Sequence, residues 1–380
     1  MRIAINAAVL GKRYTGVGTY IAGLIQSLTR LGHEVVVYGS SPLIPSGPGI
    51  TRTVTPSWIA FDAGRSSGFW RLLWNLFILP LRLSNRKLDA VVSQNAEGLL
   101  WSSIPQLLVV HDLIPLHYPE EAPRLRRYYK RVLPLVLKRS AAVVTVSNYT
   151  RSDLLQHYKL NPTNIHVAYD GVEQRPLARR AETMPARFPV EPYFLFVGTF
   201  SPRKNLETVL RALEKVRDRV RESLLIVAYP DQWASGSLRL AEELGVSGRI
   251  THQAGLRDEE MSYAYEHATA LFLLSDYEGF GLPALEAMLA GTPTVVSDST
   301  ALAEVVGDAA IKISAHDVSA AAEAMLRLST DDAYREQMRR VGVKRAQKFT
   351  WMRTGTTISE ILSRVVPSRD ARPQSTRAPQ

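Results

Sequence analysis

Glu278 and Glu286 stand eight residues apart in SDYEGFGLPALEAMLAGTPTVVSD (Ser275 to Asp298), on either side of a glycine-led loop that ends at Pro283. The pattern puts Glu278 on a loop closing an apolar strand (Thr269 to Leu274) and Glu286 on a helix that begins near Pro283. Gly279 and Gly281, with Phe280 and Leu282 beside them, let backbone N–H groups turn toward a ligand. Pro283 suits a first helical turn, whose free N–H groups favour anions. Two hydroxyl-binding carboxylates with a phosphate held between them match a sugar nucleotide, which offers sugar hydroxyls, a diphosphate and a ribose. The plainer alternative is a pair of ordinary carboxylates near a helix N-terminus.

Three other motifs sit where a ligand cleft would need them. TGVGTY (Thr15 to Tyr20) follows the first strand and opens a helix, and Gly16 and Gly18 permit close backbone approach to a phosphate. It lacks the third glycine of a dinucleotide fingerprint, because Ile21 occupies that place. In LLVVHDLIPLHYPEE (Leu107 to Glu121), His111 and Asp112 end a buried strand, the edge at which ligands gather in doubly wound sheets. A satisfied buried histidine and a turn-capping aspartate would look the same. In FVGTFSPRKNLETVL (Phe196 to Leu210), Arg203 and Lys204 near a helix start offer charge-assisted hydrogen bonds to phosphate oxygens.

These segments, in this order over residues 1–365, resemble the retaining GT-B glycosyltransferases of the family 4 (group 1) type. HDLIPL is similar to a bacterial mannosyltransferase-like subgroup of surface-polysaccharide assembly. The resemblance implies that Glu278 touches the transferred sugar and Glu286 the nucleotide ribose. It places His111 at the donor sugar near its 6-position, Asp112 nearby, and Arg203 with Lys204 at the diphosphate. The glycine loop of Gly16 and Gly18 would close on the donor phosphate and the acceptor. Two departures stand out: Thr199 where many members carry arginine after the glycine, and no proline before Glu304. The implied donor is GDP-mannose and the implied outcome retention, with the leaving phosphate taking the acceptor proton. Base recognition falls to the backbone near Ala254 to Arg257.

The elements that must position these residues alternate strand-like apolar runs with helical periods, which argues for parallel α/β layers. The runs are Arg2 to Ala7, Glu34 to Tyr38, Ala90 to Ser93, Gln106 to Val110 and Ala142 to Val146, then Tyr193 to Val197, Ser223 to Ala228, Ile250 to Gln253, Ala270 to Leu274 and Thr294 to Ser297. At 380 residues the chain exceeds one ordinary core. The expected fold is α/β with GT-B architecture, two Rossmann-like domains facing each other across a cleft. Residues 1–175 form the acceptor-binding domain, 176–190 a linker and 191–349 the nucleotide-sugar domain. Residues 350–366 are a helix crossing back, and the polar, proline-rich 367–380 a disordered tail.

With no cysteine, thiolate metal sites, disulfides and cysteine nucleophiles are excluded. Neither Asp-x-Asp nor a histidine pair at ligand spacing occurs, so no metal and no cofactor are expected. MRIAINAAVL lacks the marks of an export signal, and a cytoplasmic enzyme is the simplest expectation. Residues 1–180 hold 22 Lys and Arg against 10 Asp and Glu, whereas 181–380 hold 24 against 26. A basic first half suits an anionic acceptor or the cytoplasmic face of the inner membrane. Its cluster at Arg124, Arg126, Arg127, Lys130, Arg131, Lys138 and Arg139 is equally compatible with a solvated helix face.

Ser66 to Lys87 joins Phe69, Trp70, Trp74 and Phe77 to Arg71, Arg82, Arg86 and Lys87, with Pro80 interrupting its helix. It reads as a core helix with a basic exposed end or as an interfacial helix. The second suits peripheral membrane contact and a polyprenyl-diphosphate-linked saccharide acceptor. No nucleic-acid module is recognised, so charge alone does not make nucleic acid a partner. A GT-B sugar-nucleotide epimerase would need acid/base groups at the inverted carbon, and a non-catalytic binding protein would be expected to have lost a motif.

Overall fold

The computed structural model describes residues 1–12, 15–64, 66–84, 87–173, 185, 187–189 and 192–367. The expected tail beyond residue 367 and most of the expected 176–190 linker lie outside them.

Two parallel sheets carry the chain. The first holds β1 (Arg2–Asn6), β2 (Glu34–Tyr38), β3 (Ile50–Thr53), β4 (Ala90–Ser93), β5 (Gln106–Val110), β6 (Ala142–Thr145) and β7 (Ile165–Val167), ordered β3-β2-β1-β4-β5-β6-β7. The second holds β8 (Tyr193–Gly198), β9 (Ser223–Ala228), β10 (Ile250–Gln253), β11 (Ala270–Leu273), β12 (Thr294–Ser297) and β13 (Ile311–Ile313), ordered β10-β9-β8-β11-β12-β13. The order reverses beside β1 in one sheet and beside β8 in the other, which opens a crevice at the strands' carboxyl ends. Every strand pair is parallel, with registers such as Ile3↔Val35 and Val109↔Val144. Apolar residues cover both faces of the central strands, as helix-flanked parallel sheets require.

The ten apolar runs all form strands, and three further strands lie at sheet edges. β3 (ITRT), β7 (IHV) and β13 (IKI) are three or four residues long and keep polar, partly exposed side chains, so no apolar run marks them. The Trp351–Val365 helix lies on the Gly16–Arg30 helix. Trp351 meets the Tyr20 ring edge-on at 5.9 Å, and Thr354 Oγ1 donates to the Tyr169 carbonyl at 2.7 Å. One hydrophobic cluster runs from Ile5 and Leu24 of the first layer through Trp351 and Ile358 to Phe280, Leu285 and Leu302 of the second. The two sheets are thereby packed as one body around the crevice.

Pro80 does not end its helix. The segment runs Ser67–Leu73, then a π-helical turn Trp74–Ile78, then Leu79–Ser84. The wide turn lets the Leu79 N–H reach the Trp74 carbonyl, and the Leu76 carbonyl four residues before the proline accepts from Trp101 Nε1 at 2.8 Å. The carbonyl a proline would orphan is thus satisfied from outside the helix. Arg71 corrects the expectation of a basic outer rim: it is buried, its Nη2 2.7 Å from Glu97 Oε1 and its Nη1 2.8 Å from the Ile59 carbonyl. Arg86 lies outside the described residues, while Arg82 and Lys87 are exposed. The basic cluster from Arg124 to Arg139 is exposed on the Pro123–Arg131 and Leu133–Arg139 helices, a solvated face.

Arg71→Ala strands the partly buried Glu97 carboxylate and is expected to cost up to about 3 kcal/mol in urea unfolding. Arg71→Leu combined with Glu97→Leu, which removes both charges, is expected to cost clearly less.

Candidate functional site

A cavity of about 520 Å³ opens at the crevice, walled by both sheets' loops. Gly16, His111, Asp112, Lys204, Glu278, Gly279, Phe280, Gly281, Leu282 and Glu286 all line it, so segments up to 270 residues apart converge on one site. Gly18 lines an adjoining cleft of about 460 Å³ that shares Thr19, Asp258, Tyr265 and Glu286 with the cavity. Thr15 Oγ1 caps the Gly18 N–H at 3.2 Å, so that amide is spent within its own helix turn.

The loop from Tyr277 to Gly281 is held by both layers. Gly281, at φ +109°, caps the Leu282–Leu289 helix, a conformation that glycine adopts without strain. Pro283 falls in the first turn, where its missing N–H costs nothing. Gly279 lies so close to the end of β5 that a Cβ would stand 2.0 Å from the His111 carbonyl oxygen. Its own carbonyl accepts from Ser147 Oγ at 2.7 Å and Thr150 Oγ1 at 3.1 Å, both at the start of the Asn148–His157 helix. Two residues earlier, the Tyr277 hydroxyl donates to Asp153 Oδ2 at 2.6 Å and accepts the Leu113 N–H at 3.0 Å.

Glu278 sits at the centre of the charge. Lys204 Nζ and Ser275 Oγ both reach its Oε1, the second at 2.7 Å, and Arg203 Nη1 lies 3.9 Å from Oε2. Burial pushes the carboxyl up, but the Lys204 and Arg203 charges and the two hydrogen bonds outweigh it and hold Glu278 below the usual carboxylate range. Arg203 differs from the sequence expectation, since it stands behind the loop and outside the cavity wall. Its Nη1 donates to the Tyr277 carbonyl at 2.7 Å and its Nε reaches Glu121 at 3.1 Å, leaving Lys204, among the described residues, as the cation at the surface of the cavity. Burial lowers the Arg203 pKa, and Glu278 and Glu121 raise it further than burial lowers it.

Glu286 accepts from the Tyr265 hydroxyl at 2.8 Å, and both line the cavity with Leu256, Asp258 and Met261. On the opposite wall His111 is 8% exposed, meets the Tyr20 ring edge-on at 4.7 Å, and has an Nε2 without a hydrogen-bond partner. Burial alone pushes its pKa down to about 4, so the imidazole is neutral at ordinary pH. Asp112 both lines the cavity and caps a turn, accepting the Ile114 N–H at 3.0 Å. Burial raises its pKa, opposed by that N–H and by Arg203.

Sequence reasoning missed Tyr265, Asp170 and the Ser147, Thr150, Asp153 and Tyr277 clamp. The only marker for the clamp was VSNYT after a strand, a common helix start. It also found no histidine pair at ligand spacing, whereas the fold brings His117 and His157 together on Asp153, at 3.0 and 3.1 Å. The cause is topological: β5 and β6 are neighbours, so the helices that follow them are adjacent. Among the described residues this is the one group with ligand atoms converging within 4.8 Å. It lies off the cavity, and His157 shares a second cleft with Lys130, Lys138 and Lys159, whose charges oppose a bound cation.

Comparison with known proteins agrees with this geometry. The family model for glycosyltransferase family 4 matches residues 14–175 and that for glycosyl transferases group 1 matches 183–345. The chain is 32% identical to the O-antigen chain mannosyltransferase B of Escherichia coli, over 92% of this chain and 96% of that one. It is 26% identical to the O-antigen chain mannosyltransferase RfbU of Salmonella typhimurium, over 82% of this chain and 87% of the relative. Among solved structures, sucrose-phosphate synthase from Thermosynechococcus elongatus superposes with a TM-score of 0.76 at 21% identity, covering 96% of this chain and 98% of that one.

Because the His111 ring titrates below its ordinary 6.5, the unfolded chain takes up a proton between 6.5 and about 4 that the folded ring refuses, and folding stability falls as pH drops through that window. Thermal unfolding of the native chain and His111→Gln across this range is expected to show the native chain losing roughly 3 kcal/mol relative to the variant. A constant difference would place the imidazole in contact with solvent.

Proposed function

The chain belongs to the GT-B glycosyltransferases of family 4 and group 1, and on that premise we propose that it is a retaining, metal-independent mannosyltransferase. It would move mannose from GDP-mannose to a saccharide acceptor in cell-surface polysaccharide assembly. One observation carries the sugar: 32% identity, over nearly the full length of both chains, to a protein named as an O-antigen chain mannosyltransferase.

The cavity supports the chemistry. Glu286 with Tyr265 is suited to ribose hydroxyls, the first turn of the Leu282–Leu289 helix and Lys204 to the diphosphate, and Glu278 to the sugar. The acceptor hydroxyl attacks the anomeric carbon on the face the diphosphate leaves. The bond from that carbon to the phosphate oxygen breaks, its electron pair stays on the phosphate, and the hydroxyl proton passes to the same oxygen. Lys204 and the helix amides stabilise the charge that develops there, which needs no metal. Glu278 is ionised and hydrogen-bonded, and orients the sugar without forming a covalent bond to it. An inverting hydrolase would instead need an acid and a base flanking the bond, whereas Glu278 and Glu286 serve opposite ends of the donor.

A peripheral membrane contact, and with it a polyprenyl-diphosphate-linked acceptor, is favoured by one observation. Trp58, Phe61, Phe69, Trp70 and Phe77 are all exposed on the stretch that carries Arg82 and Lys87. No helix among the described residues is long and apolar enough to cross a membrane. Aromatic rings beside cations suit the interface of an anionic bilayer.

With chelator present, GDP-mannose at about one hundred times its dissociation constant is expected to stabilise the chain by about 2.7 kcal/mol, and UDP-glucose much less. Glu286→Ala loses that shift, and Lys204→Ala lowers kcat about 10²- to 10³-fold. A chelator-sensitive rate, or selectivity for a uridine nucleotide, would overturn the corresponding part. In sedimentation with vesicles containing phosphatidylglycerol, Trp70→Ser with Phe77→Ser is expected to lower binding at least about tenfold. Equal sedimentation of variant and native chain would remove the membrane contact.

A further inference from the structure

The motif from Leu107 to Glu121 meets the cavity at His111 and Asp112 and ends outside it, at Glu121. Glu121 lies in the loop between β5 and the Pro123–Arg131 helix, on the first sheet's side, yet its carboxylate is bound by the second sheet's side. Its Oε1 accepts from Ser201 Oγ and from Arg203 Nε at 3.1 Å, and its Oε2 from Arg203 Nε and Nη2, both at 3.3 Å. The Glu121 and Arg203 side chains are 13% and 6% exposed, so the ion pair is enclosed between the two layers. Neither residue lines the cavity, and contact with a donor gives Glu121 no role.

The pair holds one edge of the guanidinium. Nη1 is held separately, by the Tyr277 carbonyl at 2.7 Å, and it stops 3.9 Å from Glu278 Oε2, beyond a hydrogen bond. Lys204 and Ser275 both bind the other oxygen, Oε1. Oε2 is therefore the atom of Glu278 that a ligand hydroxyl can take without displacing either of them. The two carboxylates compete for one cation, since Glu278 and Glu121 both raise the Arg203 pKa. Without Glu121 the buried guanidinium lacks its hydrogen-bonded carboxylate, a costly state. Among the described residues Glu278 is the other carboxylate within 4 Å of it, and a shift of about 1 Å would bring Nη1 into a hydrogen bond with Oε2.

We propose that Glu121 is a positioning residue that acts through Arg203. By holding Nε and Nη2 from the opposite layer, it stops the guanidinium short of Glu278 and keeps Oε2 open to a hydroxyl of the transferred sugar. The proposal rests on the nucleotide-sugar reading of the cavity. It also ties an open Oε2 to the meeting of the two layers, because the restraint on Arg203 comes from the first and Glu278 stands on the second.

Isothermal titration with GDP and with GDP-mannose tests it on the native chain, Glu121→Ala, Glu121→Gln, Arg203→Gln and the double variant Glu121→Ala with Arg203→Gln. GDP affinity is expected to stay within about threefold in the Glu121 variants, which also shows that they are folded. The ratio of GDP-mannose to GDP affinity is expected to fall at least about tenfold in Glu121→Ala, equivalent to about 1.4 kcal/mol. The double variant is expected to recover part of that ratio, because no guanidinium is left to capture Glu278. A merely structural Glu121 would instead make the two single losses multiply. Glu121→Gln, alone and with Arg203→Gln, carries the same comparison where the alanine variant does not fold. An unchanged ratio in the Glu121 variants, equal weakening of GDP and GDP-mannose, or a double variant no better than Glu121→Ala overturns the proposal and leaves Glu121 a tether between the layers. Binding of neither nucleotide by the native chain overturns the nucleotide-sugar reading as well.

Discussion

The site depends on how closely the loop from Tyr277 to Gly281 lies against the carboxyl ends of β5 and β6. Gly279 approaches the His111 carbonyl where no side chain would fit, and its own carbonyl is taken by Ser147 and Thr150. Tyr277 anchors the loop's other end on Asp153 and the Leu113 amide. Between these anchors Glu278 has little freedom, and it is the residue on which Lys204 and Ser275 converge. The same contact fixes where His111 and Asp112 stand relative to Glu278, since all three are tied to one backbone junction. A packed junction of this kind holds side chains to tenths of an ångström, which a site built from separate mobile loops would not.

Charge is divided unequally across the cavity. The second sheet's side carries Glu278, Lys204 and Glu286, with Arg203 and Glu121 behind it. Across from it His111 is held neutral by burial, Tyr20 keeps its proton, and burial raises the Asp112 and Asp170 pKa values. Burial sets the direction at His111, Asp112 and Asp170, whereas at Glu278 it is outweighed by the Lys204 and Arg203 charges and by the Lys204 and Ser275 hydrogen bonds. Among the described residues, the first half's Lys and Arg lie largely elsewhere, as on the exposed helices from Arg124 to Arg139 and in the Arg71–Glu97 pair.

The central strands are legible in the sequence because strands buried on both faces are continuous apolar runs, and LLVV of β5 or VVS of β4 can be little else. β3, β7 and β13 are not legible, because a three- or four-residue edge strand with a polar outer face looks like loop. The glycine-led loops around Gly16, Gly279 and Gly281 are legible for a different reason, since backbone geometry restricts the residue type at those places. Arg203 shows the limit of this kind of reading. Adjacent cations at a helix start look equivalent in sequence, and only the positions of Glu121 and the Tyr277 carbonyl decide that Arg203 supports the loop while Lys204 faces the cavity. Asp170 is hidden for a related reason, because it follows β7, the shortest strand of the first sheet, and it comes near Tyr20 only through the strand order.

The Lys204–Glu278 pair has a consequence for how a donor is accommodated. A buried ion pair is a compromise between desolvation and attraction, and neither partner is released cheaply without a substitute. A diphosphate supplies that substitute for the ammonium, being a stronger and more highly charged acceptor than a carboxylate. On the proposed reading, as Lys204 turned toward phosphate, Glu278 would keep Ser275 and the nearby Arg203 and regain an oxygen able to accept from a sugar hydroxyl. On that reading the carboxylate would not be left uncompensated, because Arg203, outside the cavity wall, also favours the ionised form of Glu278.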